Sequence, residues 1–207
     1  MGILSKSIYC LSFIFGYLFF VRIQEIKSRL ITYSVERQLK EKGKNLTISY
    51  PFLLSGAKYI SIGDNVVIGS NSRISAVTVY ENKTFTPLIK IGNNVVINRG
   101  FQIAALSQID IKDNVLIAEN VYISDLTHGS SDYEDIETPP AKRNLSSKGQ
   151  ILIEENVWLG RNVSVLPNVI IGRNSIIGAN SVVTHDIPPY SIAVGSPARV
   201  IKKIKSK

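Results

Sequence analysis

Residues 153–183 read IEENVWLGRNVSVLPNVIIGRNSIIGANSVV. Ile153, Leu159, Val165, Ile171, Ile177 and Val183 recur at every sixth position without a break. Gly160, Gly172 and Gly178 follow three of them, and two residues before each later member stands Val157, Val163, Val169, Ser175 or Ser181. A helix repeats its buried face about every 3.6 residues and a half-buried strand about every 2, so neither produces this period. The same spacing runs upstream through Ile62, Ile68 and Ile74, then Ile91, Ile97 and Ile103, then Ile111, Ile117 and Ile123. IGDNVV (62–67), IGSNSR (68–73), IGNNVV (91–96), IKDNVL (111–116) and IGRNSI (171–176) are variants of one unit.

One such unit cannot bury its own apolar side, so successive turns of chain must stack into a solenoid. The sixth-position aliphatics point into a shared core, and the residues beside them fit a tight prism. Gly, Asp and Asn between them suit corners where the backbone needs unusual angles. Strands of successive coils then pair in parallel, about 4.8 Å apart.

Two stretches break the period. Residues 77–87 (VTVYENKTFTP) separate the first block from the second. Residues 125–150 (DLTHGSSDYEDIETPPAKRNLSSKGQ) are polar and rich in turn formers. A long loop leaving a rigid solenoid is a usual place for function.

Composition narrows the alternatives. The chain has 207 residues, 44% hydrophobic and 19% charged, which excludes a disordered protein. One cysteine excludes a disulfide scaffold and a cysteine-ligated zinc site, and two histidines exclude a three-histidine metal site. The net charge of +8 favours anionic partners. No helix-turn-helix, aromatic platform or zinc pattern supports nucleic acid. A matrix- or ice-binding solenoid would show long ladders of Thr or similar residues on a flat face, and this chain does not.

Residues 8–21 (IYCLSFIFGYLFFV) form the most apolar run, with Lys6 before it and Arg22 after it. Fourteen residues fall short of the roughly 20 that cross a bilayer. No small-x-small cleavage site follows, so the segment is expected to be retained as helix. It either lies in a membrane interface as a peripheral contact or packs on the body of the protein.

The hexads resemble those of the hexapeptide-repeat acyltransferases, over about residues 60–185. The resemblance implies an all-β solenoid, a left-handed parallel β-helix with three hexads to a coil. An apolar, helical segment (1–45) precedes the β-helix (46–207), which carries loops at 77–88 and 125–150 and ends in a capping tail. Within that family the sugar and xenobiotic acetyltransferases place a histidine where His128 stands, at the same offset from Asn120. Many polysaccharide-modifying members carry Asp-His-x-His there, whereas this chain has Asp125-Leu126-Thr127-His128. The resemblance makes His128 the general base that takes the proton of an attacking hydroxyl. Either Asp125 or a backbone carbonyl would hold its second nitrogen. Asn98 stands where sugar-acetylating relatives carry an acceptor-binding residue. His185, in place of a usual Lys, reads as a surface residue. Cys10 has no base beside it, which disfavours an acyl-cysteine route.

Val157-Trp158-Leu159-Gly160 resembles the family's Val-Trp-Ile-Gly, which places Trp158 along the pantetheine arm of acetyl-CoA. The backbone at Arg161 and Ala179, one coil apart, would serve the same arm. Residues 188–203 (PPYSIAVGSPARVIKK) resemble the family's C-terminal signature. Arg199, Lys202 and Lys203 would meet nucleotide phosphates or lie as a solvated basic tail. No metal is implied.

The resemblance implies a cytoplasmic homotrimer that passes acetyl directly, in a ternary complex, to a sugar hydroxyl of a bacterial surface polysaccharide or its precursor. N-acetylation of a nucleotide-linked amino sugar, or of a xenobiotic, is the alternative. Serine acetyltransferase is disfavoured because its extended Asp-Arg-His-Pro motif is absent.

Overall fold

The computed structural model describes residues 3–129 and 133–204. Short strands follow one another around a three-sided prism. The first face carries Glu41–Lys42, Ile60–Ile62, Leu88–Ile91, Gln108–Ile111, Ile151–Ile153 and Val169–Ile171. The second carries Thr47–Ile48, Val67–Ile68, Val96–Ile97, Leu116–Ile117, Trp158–Leu159 and Ile176–Ile177. The third carries Phe52–Ser55, Ser72–Ala76, Gln102–Ala105, Tyr122–Ser124, Ser164–Val165 and Val182–Val183. Six coils result, each contributing one strand to each face, in a left-handed parallel β-helix.

Register explains the period of six. On the second face Ile48, Ile68, Ile97, Ile117, Leu159, Ile177 and Ala193 pair in line, and all are buried. The other two faces repeat the arrangement, so three hexads close one coil around a common apolar axis. Full burial of each Val, Ile or Leu is worth about 1.5–3 kcal/mol.

The corners are mostly asparagine. Among the described residues, eleven Asn sit at positive φ, against two other non-glycine residues, Glu81 and Tyr190. Asn accepts this left-handed geometry because its short amide bonds locally. Here the amides also bond from coil to coil. Asn45 donates to Asn65 (2.9 Å), Asn65 to Asn94 (3.0 Å) and Asn94 to Asn114 (3.2 Å). At the next corner Asn120 donates to Asn162 (3.3 Å) and Asn162 to Asn180 (2.9 Å). The glycine of the hexad does a different job. A Cβ on Gly160 would stand 2.7 Å from the Ala179 nitrogen, so glycine lets the coils approach each other.

Both ends are covered. Helices α1 (Ile3–Ile14) and α2 (Tyr17–Glu36) precede the coils, with Gly16 between them. The last turns of α2 lie on the edge strand Thr47–Ile48, where the Thr32 hydroxyl accepts the Ile48 N–H at 2.9 Å and Val35 is buried. The solenoid begins at Glu41–Lys42, five residues ahead of the expected boundary at 46. At the far end Ser191–Gly195 adds to the second face in parallel, and Ala198–Lys203 folds back on it antiparallel.

Both interruptions leave from one edge of the prism, between the third and first faces. Residues 77–87 hold an antiparallel pair, Val79–Tyr80 with Lys83–Thr84. The longer loop opens with Leu126–His128 paired antiparallel to Leu145–Ser147, and carries the short helix α3 (Tyr133–Ile136).

Candidate active site

The two interruptions meet. His128 ends the strand at the root of the long loop, with its side chain exposed. The Tyr80 ring, from the other interruption, stands edge-on to the imidazole with centroids 5.7 Å apart. The Tyr80 hydroxyl donates to the Ala141 carbonyl at 3.1 Å, tying the short hairpin to the long loop. Thr127 bonds Ser146 across the strand pair, Oγ1 to Oγ at 3.0 Å. Gly129, at φ +73°, turns the chain directly after the histidine, and Arg143 donates to the Thr138 carbonyl (2.8 Å) and the Ile136 carbonyl (3.0 Å). His128 is therefore held by its backbone and its tyrosine neighbour on an otherwise open edge. A groove of about 310 Å³ at the root of the loop is lined in part by Tyr122, Leu126, Thr127, Lys148 and Leu166, and His128 is not part of its lining.

Asp125, one of the two alternatives for holding the imidazole, turns its side chain elsewhere. Its carboxylate is fully buried and accepts the backbone N–H groups of Leu106 (2.7 Å), Ser107 (2.9 Å) and Gln108 (2.8 Å). These donors belong to the corner of the coil before, so Asp125 anchors the root of the loop to the prism. Burial pushes its carboxyl above the ordinary 3.8, against the pull of the three N–H donors. Among the described residues, no side chain bonds the imidazole of His128.

The residues expected to hold the donor gather elsewhere. Trp158 points outward from the second face and is 47% exposed. It lies in one row with Ile176, Ile192 and Lys202, strand by strand toward the C-terminal end. Arg161 and Ala179 stand at the edge between the second and third faces, at the ends of adjacent coils, where the Asn180 N–H donates to the Arg161 carbonyl at 2.8 Å. Arg199 pairs with Val194, whose side chain lies over Gly178 at the same edge. Arg199 also shares a cleft of about 280 Å³ with His185. Lys203 pairs with Ser191 and is exposed. Asn98 sits on the second–third edge two coils below Arg161, with its amide donating to the Ile117 carbonyl at 3.3 Å. Glu119 spans the interval, 3.5 Å from Arg99 and 3.4 Å from Arg161.

One prism therefore does not bring the candidates together. Asn98, Trp158, Arg161, Ala179, Arg199 and Lys202 belong to the second face and its far edge. His128 belongs to the edge between the third and first faces. Tyr80 and Arg143 were missed by sequence reasoning. An aromatic residue inside the first interruption was the available signal for Tyr80, and nothing in the sequence singled out Arg143.

Residues 151–185 match the bacterial transferase hexapeptide pattern (six repeats), and residues 59–82 match the hexapeptide repeat of succinyl-transferase. An Escherichia coli (strain K12) protein provisionally named a lipopolysaccharide biosynthesis O-acetyl transferase is 36% identical over 94 residues, covering 44% of this chain and 47% of its own. A galactoside acetyltransferase solved in complex with coenzyme A is 31% identical, with a TM-score of 0.57 over 83% of this chain and 68% of its own. A hexapeptide-repeat acetyltransferase of Vibrio cholerae O1 biovar eltor, solved with acetyl coenzyme A, is 27% identical, with a TM-score of 0.60 over 90% of this chain and 83% of its own. The chain spans less than half the length of the curated relatives it matches.

Proposed function

The chain belongs to the hexapeptide-repeat acetyltransferase family, and on that premise we propose that it transfers acetyl from acetyl-CoA to a hydroxyl of a bacterial surface glycan or its precursor. The observation that carries the reading is His128: an exposed imidazole at the root of the long loop, braced by Tyr80. The provisional name of the Escherichia coli relative supports a surface polysaccharide as the acceptor class.

In this reading His128 accepts the proton of the sugar hydroxyl as that oxygen attacks the thioester carbonyl. The C–O bond forms, the C–S bond breaks, and the imidazolium returns the proton to the departing thiolate. The products are the acetyl ester and coenzyme A. Negative charge collects on the carbonyl oxygen in between, where backbone N–H groups stabilise it. Trp158 and the row toward Lys202 offer a straight track for a long, thin donor. Arg199 and Lys202 supply positive charge for its phosphates.

In this reading two copies of the chain build each site. The second face presents Val67, Val96, Leu116 and Trp158 outward, each 40–47% exposed. Packing that row against a neighbour in a homotrimer would set one copy's second face beside the next copy's His128 edge. The reading assigns the work to the cytoplasm.

Calorimetric titration with acetyl-CoA tests the donor half, with Arg199→Ala beside the wild type. Transfer to a glycan acceptor, with His128→Ala, tests the rest. Absence of binding to a folded oligomer would overturn the reading. A His128→Ala protein that keeps most of its rate would point to an amine acceptor instead.

A further inference from the structure

Among the described side chains, the two N-terminal helices leave many large apolar residues in water. Leu4, Ile8, Tyr17, Leu18, Phe20 and Leu30 are each more than half exposed. Within α2 the buried residues are Thr32 and Val35, close to its end. The exposed positions do not keep to a stripe. Tyr17, Leu18, Phe19 and Phe20 are consecutive in α2, so they point around its circumference, and all four are 44–81% exposed. Around Tyr17–Phe20 the helix is apolar on every side and suits the boundary between headgroups and acyl chains, while the polar and basic turns from Arg22 onward suit the headgroups themselves. Among the described residues no helix is long and apolar enough to cross a membrane.

Charge is concentrated at the same end. Residues 1–45 hold eight basic and three acidic side chains, against sixteen and thirteen in the rest of the chain. Arg22, Lys27 and Arg29 follow the apolar segment directly. The Lys27 ammonium lies 5.1 Å over the Tyr50 ring, and the exposed Tyr17 and Tyr33 have the amphipathic rings that favour a headgroup layer. Five of the eight net positive charges thus fall within residues 1–45.

We propose that α1 and the first half of α2 form a docking surface for an anionic lipid bilayer. The helices lie in the headgroup layer, their basic flank meets lipid phosphates, and the prism rises from the membrane with its first coil nearest the lipid. In combination with the transferase reading above, on which this extension rests, the acceptor is a glycan carried on a lipid. Asn98 stands in the third coil, about 10 Å above the first, and the donor residues lie farther out. A membrane-held sugar therefore meets the acceptor side of the edge before the donor side.

Flotation of the full chain with vesicles of phosphatidylethanolamine and phosphatidylglycerol tests the docking. The wild type floats with these vesicles and stays behind with phosphatidylcholine alone. In a Leu4→Ser, Leu18→Ser, Phe20→Ser variant the bound fraction falls by about tenfold or more, with thermal unfolding unchanged. In an Arg22→Gln, Lys27→Gln, Arg29→Gln variant flotation becomes weaker and less sensitive to salt. A wild type that does not float overturns the proposal, as does a serine variant that floats equally. Loss of oligomerisation in the serine variant, without flotation of the wild type, would make the surface a contact between copies and also overturn it. Flotation by a protein that fails to bind acetyl-CoA would sink the transferase reading and leave the docking standing.

Discussion

Two edges of the prism use the same coils in opposite ways. At the edge between the second and third faces the last three coils turn with a small residue, one free position and an asparagine at positive φ. Asn120, Asn162 and Asn180 stack there, and Gly160 lets the backbone of Ala179 come close. At the edge between the third and first faces the chain twice departs, and the departing segments join through Tyr80, His128 and Ala141. Regularity yields backbone groups repeated at a fixed rise, which suits an extended ligand. Departure yields a unique side chain in a unique setting, which proton transfer requires.

Substitutions can break or sharpen that contrast. The largest effect is expected at the interrupted edge. His128→Ala should lower the rate of acetyl transfer about 10²–10⁴-fold while leaving acetyl-CoA affinity intact by calorimetry. A parallel loss of affinity would mean that the edges do not divide the work.

Asp125→Asn should act on stability. One amide oxygen cannot accept all three N–H groups of Leu106, Ser107 and Gln108, and an unpaired buried donor costs about 1–3 kcal/mol, readable as a lower Tm. The same variant carries a pH signature. The native carboxyl is raised above its ordinary 3.8, so the native state holds more protons than the unfolded one over that window. Wild-type stability from this group should fall as pH rises from 3.8 through the raised value, and the Asn variant should lack that slope. A shifted pH profile of acetyl transfer in Asp125→Asn would instead return Asp125 to the imidazole.

At the regular edge Arg199→Ala should weaken acetyl-CoA binding about tenfold, the worth of one hydrogen bond to a charged group, with the catalytic rate at saturation little changed. The smallest effect is expected for Tyr80→Phe. It removes the bond to the Ala141 carbonyl and keeps the ring beside His128, costing about 0.5–1.5 kcal/mol of loop anchoring. Tyr80→Ala should lower the rate further, and equal rates for the two variants would remove the ring from the site.

The coils were legible because burial writes itself into sequence at fixed spacing. Ile62, Ile68 and Ile74 mark three faces of one coil before any coordinates exist, and all three are buried. The corner residues were legible as a class, but Asn and Gly share that class and divide two tasks, left-handed backbone and close approach. Nearness in sequence to His128 makes Asp125 a candidate partner and cannot decide between it and a backbone carbonyl. Its side chain instead turns inward, where three N–H groups of the preceding coil converge. Tyr80 is legible only as an aromatic in the first interruption, because the histidine it meets lies two coils farther along the chain.

By itself the sequence determined the solenoid, its interruptions and the identity of the exposed histidine, since each follows from local pattern or from a motif. Only the tertiary structure decided that both interruptions leave from one edge, that the acceptor and donor candidates share another, and that the apolar helices lie at the first-coil end. Which edge a residue occupies depends on how many residues close each coil and on where the chain leaves the prism. That sum over the whole path is a property of stacking and has no local signature.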